Sequence, residues 1–282
     1  MQTRRNFLKT TLLSTFAMTM SPHLLRAMPG KPDIGLQLYT IRDAMKADLQ
    51  STLEEVSRIG YTWLEAAGYA DGKFYGLFPK ELDQLVTDLG MELVSSHATF
   101  NMESQQQVID AHAEAGVKFM VYPVMPIPEK ETADDFKRAA QRLNEIGEAC
   151  ARAGIRFGYH NHAFEFERFD EQTGYDILLN ETDPAMVFFQ ADLYWMIFAG
   201  IDPEDYFKQH PGRFEHWHVK DMEDSPERSF AEVGTGVIDF GKIFKIKDLS
   251  GMKYFFVEQD SCKRDPMESI SISYQNLLKI VF

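Results

Sequence analysis

One stretch of the sequence decides the fold: residues 132–162, TADDFKRAAQRLNEIGEACARAGIRFGYHNH. It begins with Thr132, a residue type that caps helices, and continues with apolar residues at helical spacing. Gly154 then interrupts the helical pattern, as glycine does at many helix ends. The following IRFGYHNH has the character of a β-strand and ends in polar residues. This order of helix, glycine and strand predicts one unit of a repeating α/β fold.

The same pattern recurs along the chain at a spacing of roughly thirty residues, which indicates βαβ units and a parallel sheet. The strand-like runs are IGLQLYT (34–40), YTWLEAA (61–67), MELVSSHA (91–98), VKFMVYP (117–123), IRFGYHNH (155–162), AMVFFQAD (185–192), RFEHWHVKD (213–221) and MKYFFVEQD (252–260). Eight units in about 250 residues predict a single-domain α/β fold, a (β/α)8 TIM barrel over residues 31–282. A doubly wound open sheet is the competing fold, but it usually has a glycine-rich loop after its first strand. Here YTIRDAM (39–45) contains no glycine.

Residues 1–30 differ in composition from the rest of the chain. The basic stretch TRRNFLK (3–9) is followed by the apolar run TLLSTFAMTM (11–20), which predicts an N-terminal export signal. Its paired arginines resemble a twin-arginine signal, and the apolar run is too short to span a bilayer comfortably. We therefore expect an exported, periplasmic protein with no stable membrane span after signal removal. A disordered basic tail is the alternative.

The charge of the chain argues against nucleic acid as a partner. The whole chain has a formal net charge of −14, and residues 1–30 carry four basic residues and no acidic ones. Residues 31–282 therefore carry −18. So acidic a body repels phosphate backbones. The two cysteines, Cys150 and Cys262, are too few for a disulfide framework, although a single disulfide stays open.

Four residues near strand ends form a candidate ligand set for a metal ion. They are Glu165 in YHNHAFEF, Asp192 in FFQADLYW, His218 in FEHWHVKD and Glu258 in YFFVEQD. Because the carboxyl ends of barrel strands share one face, these side chains could converge on one ion. Three carboxylates and one imidazole favour Mn²⁺, Mg²⁺ or Co²⁺ over a thiolate zinc site. The predicted cofactor is one divalent ion, manganese first, with magnesium, cobalt and zinc as alternatives.

Polar residues at other strand ends extend this candidate site. Side chains alternate along a strand, so His160 and His162 share a face, and His216 and Lys220 share the face of His218. For any one histidine, a hydrogen-bonded structural role is the alternative. The residues predicted to bind substrate are Tyr39, Glu65, His97, Gln190, Trp195 and His216.

These motifs resemble the sugar phosphate isomerase/epimerase group of the xylose-isomerase-like TIM barrels. The resemblance rests on GYHNHxFEF, the strand-end Asp192, HxHxKD, the GTGxIDF motif (234–240) and a last strand ending in Val-Glu. It covers about residues 33–282 and implies a metal held by Glu, Asp, His and Glu from strands five to eight. Asp192, His218 and Glu258 match three of these positions. On strand five, His160 aligns with the family's glutamate, so the first ligand is either Glu165 or His160.

The resemblance implies an isomerase or epimerase that abstracts a proton next to the carbonyl of a sugar or keto-sugar. Glu258 would act as a base or lie beside it, His160 or His162 would be the opposing acid or base, and Lys220 would stabilise oxyanion charge. A lyase or dehydratase acting on a 3-keto-glycoside or inosose is the first alternative. A non-catalytic carbohydrate-binding barrel is the second, and a zinc-dependent endonuclease is disfavoured by the acidic charge. The oligomeric state stays open, a homo-oligomer included.

Overall fold

Eight parallel strands close into a barrel in the computed structural model, which describes residues 32–125, 132–169 and 171–281. The strands are β1 (Gly35–Gln37), β2 (Trp63–Ala66), β3 (Glu92–His97), β4 (Phe119–Tyr122), β5 (Arg156–His160), β6 (Val187–Asp192), β7 (His216–Val219) and β8 (Tyr254–Val257). Each strand pairs with its neighbours in sequence, and β1 pairs with β8 to close the ring. The predicted (β/α)8 barrel is confirmed, and the chain from Pro32 onward forms one compact unit.

Helices connect the strands on the outside of the barrel. They are α1 (Arg42–Ala47), α2 (Leu49–Ile59), α3 (Pro79–Asp88), α4 (Gln105–Glu114), α5 (Ala133–Arg152), α6 (Gly174–Glu181), α7 (Leu193–Phe198), α8 (Pro203–Gln209), α9 (Phe240–Phe244), α10 (Lys247–Ser250) and α11 (Pro266–Val281). The predicted cap of α5 is present, since the Thr132 hydroxyl accepts a hydrogen bond from the backbone N–H of Asp135. Gly154 follows α5 with φ +76°, a left-handed conformation that suits glycine.

Local structure departs from the sequence prediction at several loops. The first strand ends at Gln37 rather than at Thr40, because the Gln37 side chain accepts the N–H of Tyr39 and starts the 3₁₀ helix Leu38–Ile41. A second 3₁₀ helix spans Phe164–Phe166. Three short hairpins also follow barrel strands: Tyr69–Ala70 with Lys73–Phe74, Arg168–Phe169 with Gln172–Thr173, and Asp221–Met222 with Phe230–Ala231.

The barrel interior has two levels. Near the amino ends of the strands, a small cluster of buried apolar side chains fills the barrel: Val94, Phe119, Val121, Phe188 and Phe256. A Cβ on Gly158 would lie 2.5 Å from Cζ of Phe188, so the glycine leaves room for that ring. Polar side chains occupy the carboxyl-end level, where the candidate site lies.

The predicted export signal at residues 1–30 lies outside the described residues, so export stays a prediction. Among the helices of the described chain, none is both long enough and apolar enough to cross a membrane. Cys150 and Cys262 are free thiols, and Cys150 is buried.

Candidate metal centre

Four buried side chains converge at the carboxyl ends of the last four strands: His160, Asp192, His218 and Glu258. One ligand atom from each lies within 4.8 Å of the others. Nε2 of His160 is 3.1 Å from Oδ2 of Asp192, and Nδ1 of His218 is 2.8 Å from Oε2 of Glu258. Bonds of about 2.0–2.2 Å from one ion would place neighbouring ligand atoms roughly 3 Å apart. The arrangement therefore has the spacing of a metal centre.

Asp192 is fixed by its position at the junction of β6 and α7. The register of the sheet places it beside His218 on the neighbouring strand. Its Oδ1 caps α7 by accepting the N–H of Trp195 at 3.0 Å, and its own N–H donates to Oδ1 of Asn161. These bonds leave Oδ2 directed at the other ligand atoms.

Each of the two imidazoles in the cluster has a partner for its other nitrogen. Nε2 of His218 lies 2.5 Å from Oε1 of the buried Glu65. Nδ1 of His160 lies 3.3 Å from the backbone oxygen of Pro123. A hydrogen bond to the far nitrogen is what orients histidines that bind metals.

Lys220 brings a buried ammonium to the same cluster. Its Nζ is 2.7 Å from Oε2 of Glu258, 2.9 Å from Oδ2 of Asp192 and 2.9 Å from Oδ2 of Asp260. The side chain is only 1% exposed, so these ion pairs are shielded from water. Three carboxylates around one ammonium leave the pocket with an excess of negative charge.

Charges within the cluster determine its protonation. Burial opposes ionisation, yet the Lys220 ammonium holds the pKa of Asp192 and of Glu258 well below the usual values. Burial would lower the pKa of His218, but Glu258 and Glu65 raise it well above normal. Without a metal ion, Lys220 and a protonated His218 thus offset the charges of Asp192 and Glu258.

The donor set fits a divalent cation. Nδ1 of His218 is buried and makes no hydrogen bond within the described part of the chain, although a carboxylate oxygen lies 2.8 Å away. An ion at that point would use this nitrogen and replace the proton. Two imidazole nitrogens and two carboxylate oxygens suit Mn²⁺, Co²⁺ or Zn²⁺ better than Mg²⁺, which prefers oxygen.

Comparison with known protein families identifies the family of the chain. Residues 53–271 match the family described as the xylose isomerase-like TIM barrel. The chain belongs to this family. The family resemblance inferred from the sequence motifs is therefore confirmed.

Individual relatives of this xylose isomerase-like barrel have low sequence identity. Two crystal structures of sugar phosphate isomerase/epimerases from Parabacteroides distasonis ATCC 8503 are similar to it. One is 30% identical with a TM-score of 0.78, covering 89% of this chain and 95% of its own. The other is 28% identical with a TM-score of 0.76, covering 88% and 98%. An inosose dehydratase of Geobacillus thermodenitrificans is 28% identical over 199 residues, which is 63% of this chain and 66% of the relative. The chain spans about half to two thirds of the length of the curated relatives it matches.

In this xylose isomerase-like barrel, Glu165 lies apart from the four-residue cluster. Its carboxylate accepts hydrogen bonds from the Tyr159 hydroxyl and from the backbone N–H of His162, each at 2.8 Å. The cause is the 3₁₀ turn after β5, which directs the side chain back onto its own loop. The geometry therefore favours His160 over Glu165 as the first ligand. The cluster then has two imidazoles and two carboxylates, where the first expectation was one imidazole and three carboxylates.

Three of the residues predicted to bind substrate lie near the cluster, but they are hydrogen-bonded mainly to one another. Glu65 and Gln190 are fully buried, and Nε2 of Gln190 donates to Oε2 of Glu65 at 2.8 Å. Nε2 of His97 lies 2.7 Å from Oε1 of Gln190, and its ring stacks on His218. These contacts indicate that the three residues support the candidate metal centre rather than contact substrate.

The other predicted substrate contacts are dispersed. His216 lies below the cluster among the rings of Phe119, Phe188, Tyr254 and Phe256, because it precedes His218 by two residues on β7. Tyr39 is 41% exposed and stacks against the guanidinium of Arg42. Trp195 does lie near the site, with its ring 5.7 Å from that of His162 and 5.9 Å from Nζ of Lys220.

Sequence reasoning missed several residues that organise the site. Asp260 contacts Lys220, and Asn161 holds the backbone of Asp192. Asp221 is buried and accepts the backbone N–H groups of Gly234, Gly236 and Ile238, which fixes the loop after β7. Each of these lies in the polar end of a predicted strand, in HNH, HVKD or VEQD, so their position was a usable signal.

Proposed function

We propose that this chain is a divalent-metal-dependent enzyme that abstracts a proton next to the carbonyl of a sugar or keto-sugar, as an isomerase or epimerase. One observation carries the proposal: a buried cluster of His160, Asp192, His218 and Glu258 that shares two carboxylates with the Lys220 ammonium. The similar sugar phosphate isomerase/epimerase structures support it.

The four cluster residues would hold the ion, which we propose to be Mn²⁺, Co²⁺ or Zn²⁺. When bound, a divalent ion polarises a carbonyl oxygen and so acidifies the neighbouring C–H. Both ring nitrogens of His160 have hydrogen-bond partners, the backbone oxygen of Pro123 and the carboxylate of Asp192. We therefore propose His160 as a ligand rather than as an acid or base.

We assign the proton transfer to His162. Its Nδ1 is buried and has no hydrogen-bond partner within the ranges that the structure describes. Burial and the neighbouring His160 lower the pKa of His162 to about 3, so the ring is neutral but only weakly basic before substrate binds. The ring lies 4.9 Å from that of His160 and 5.7 Å from that of Trp195. A sugar bound between the cluster and Trp195 would place a C–H within reach of His162.

Lys220 and Glu258 would act on the opposite side of the same substrate. The Lys220 ammonium stays protonated, because burial is outweighed by Asp192 and Glu258, which raise its pKa well above normal. A fixed positive charge in a water-poor pocket stabilises an oxyanion as it develops. Glu258 is ionised, so it can orient a substrate hydroxyl or accept a proton.

Elimination of a β-substituent is the second candidate, and the match to inosose dehydratases favours it. It starts with the same proton abstraction, so the first step does not separate it from isomerisation or epimerisation. The Lys220 ammonium would stabilise negative charge on a departing hydroxyl group by a hydrogen bond. We further propose a non-phosphorylated substrate and export through residues 1–30. Fractionation of cells that express the full chain tests export.

The test is incubation in D₂O of the Mn²⁺-loaded protein with a panel of ketoses, inososes and 3-keto-glucosides. Deuterium at the carbon next to the carbonyl, in a product of unchanged composition, supports an isomerase or epimerase. Deuterium together with loss of water or an alcohol supports the elimination. Glu258→Gln, expected to exchange no deuterium, serves as the inactive control. If the metal-loaded protein exchanges no deuterium with any substrate, the proposal is wrong. The remaining interpretation is then a non-catalytic carbohydrate-binding barrel.

A further inference from the structure

Glu65 on β2 lies at the centre of the barrel, on the opposite side of His218 from the other ligand atoms. It is fully buried, as are its partners Gln37 from β1, Ser95 from β3, Gln190 from β6 and His218 from β7. Five strands therefore contribute to one hydrogen-bond network around one carboxylate. Such a network has a structural cost unless every polar atom in it is satisfied.

The carboxylate is saturated with donors. Oε1 accepts from Nε2 of Gln37 at 2.8 Å and lies 2.5 Å from Nε2 of His218. Oε2 accepts from Oγ of Ser95 at 2.6 Å and from Nε2 of Gln190 at 2.8 Å. Since both oxygens are occupied from within the barrel, little capacity remains for a substrate hydroxyl.

The network determines which nitrogen of His218 faces the cluster. A carboxylate beside Nε2 requires the proton on that nitrogen, so Nδ1 is the atom with a lone pair. Nδ1 is the nitrogen that lies 2.8 Å from Oε2 of Glu258 and 3.7 Å from Oδ2 of Asp192. The other tautomer would place a lone pair against Glu65 and a proton against the position of the ion.

We propose that Glu65 is a positioning residue that fixes the tautomer and orientation of His218, so that Nδ1 is the metal donor. Gln37 from β1, Ser95 from β3 and Gln190 from β6 hold Glu65 in place, so residues from both halves of the barrel support the proposed metal centre at the ends of β5 to β8. This inference rests on the proposed metal centre. It assigns to Glu65 a role in metal affinity rather than in substrate contact.

The variant that tests it is Glu65→Gln, which keeps the shape of the side chain and removes its charge. Zn²⁺ is the probe, and its dissociation constant is measured by competition with a chelator. We expect the affinity to fall by about 10–100-fold, the usual effect of losing an outer partner of a ligand histidine. The matched control is Glu232→Gln, a carboxylate 7% exposed that accepts from Ser269 and Arg264 away from the cluster. Its affinity for Zn²⁺ should equal that of the wild type.

A second measurement is made on the wild type. In ¹⁵N NMR spectra of Zn²⁺-loaded wild type, His218 should carry a proton on Nε2 and show the metal-bound shift at Nδ1. Its signals are assigned by their loss in His218→Gln. Zn²⁺ on Nε2, or equal affinities of wild type and Glu65→Gln, would overturn the role of Glu65 alone. A wild type that binds no Zn²⁺, Mn²⁺ or Co²⁺ would overturn the metal centre itself and this inference with it.

Discussion

His216 and His218 lie two residues apart on β7, on the same face of the strand, and both are fully buried. Their surroundings differ in every other respect. His218 lies between Glu65 and Glu258, which raise its pKa well above normal against the effect of burial. His216 is enclosed by aromatic rings, and burial lowers its pKa to about 3. Neither ring nitrogen of His216 has a hydrogen-bond partner in the described portion of the chain.

The difference shows that the level of the barrel, rather than the residue type, decides what a histidine does here. At the carboxyl-end level, buried carboxylates supply partners and charge for His218. Two residues earlier on β7, His216 lies against an apolar cluster that supplies neither, so it stays neutral. The two rings therefore define the boundary between the metal centre and the packed barrel interior, and substitutions on each side should have opposite effects.

The largest effect is expected from Asp192→Asn at the upper level. The amide can still cap α7, because asparagine is a good helix cap, but it lacks the charge that holds a cation. Loss of an outer hydrogen-bond partner of a ligand typically lowers metal affinity by about 10–100-fold, and loss of a ligand should lower it further. Deuterium exchange should cease. Chelator competition and circular dichroism measure both affinity and fold. Unchanged affinity in a folded variant would remove Asp192 from the ligand set.

Lys220→Met should give the next largest effect, in the protein stripped of metal by a chelator. Asp192, Glu258 and Asp260 then lose their common ammonium. Breaking a buried ion pair typically lowers the free energy of unfolding by about 3–5 kcal/mol. Urea denaturation measures it, and added Mn²⁺ should restore part of the loss because it binds only the folded state. A variant as stable as the wild type without metal would show that the ammonium is not needed as a counter-ion.

At the lower level, His216→Leu should stabilise the protein. Burying a polar group without a partner costs about 1–3 kcal/mol, and leucine removes that cost. The control is His112→Leu, since His112 is equally buried but is bonded to the oxygen of Val108 and to the hydroxyl of Ser96. Loss of those bonds should destabilise that variant. Urea denaturation that gives the same sign for both variants would contradict the distinction.

An effect of similar size is the pH dependence of the His216→Leu gain. Because the folded-state pKa of His216 lies below its unfolded value of 6.5, the free energy of unfolding of the wild type falls as the pH drops from about 6.5 toward about 3. The difference in unfolding free energy between variant and wild type should therefore widen by about 1.4 kcal/mol per unit between about pH 6 and pH 4. A difference that stays constant with pH would mean that His216 is protonated in the folded protein.

The sequence predicted the barrel well because each strand carries its own local pattern. Glycine stops, helix caps and strand-end polar residues are short-range signals, and they placed Asp192, His218 and Glu258 on the correct face. The first ligand was harder, because His160 and Glu165 are only five residues apart, and the sequence does not show that the 3₁₀ helix containing Glu165 directs this side chain back onto its own loop. The contact between Glu65 and His218 could not be predicted, since it joins residues 153 positions apart in the sequence. Alternation places His216 and His218 on one face but does not report their depth in the barrel.

The order of the cluster residues along the chain has a consequence for biosynthesis. All four cluster residues come from β5 to β8, and the last, Glu258, follows β8 directly. A chain still emerging from the ribosome has already made the supporting strands but lacks this donor until β8 has been synthesised. The complete four-residue donor set can therefore form only after β8 has been translated.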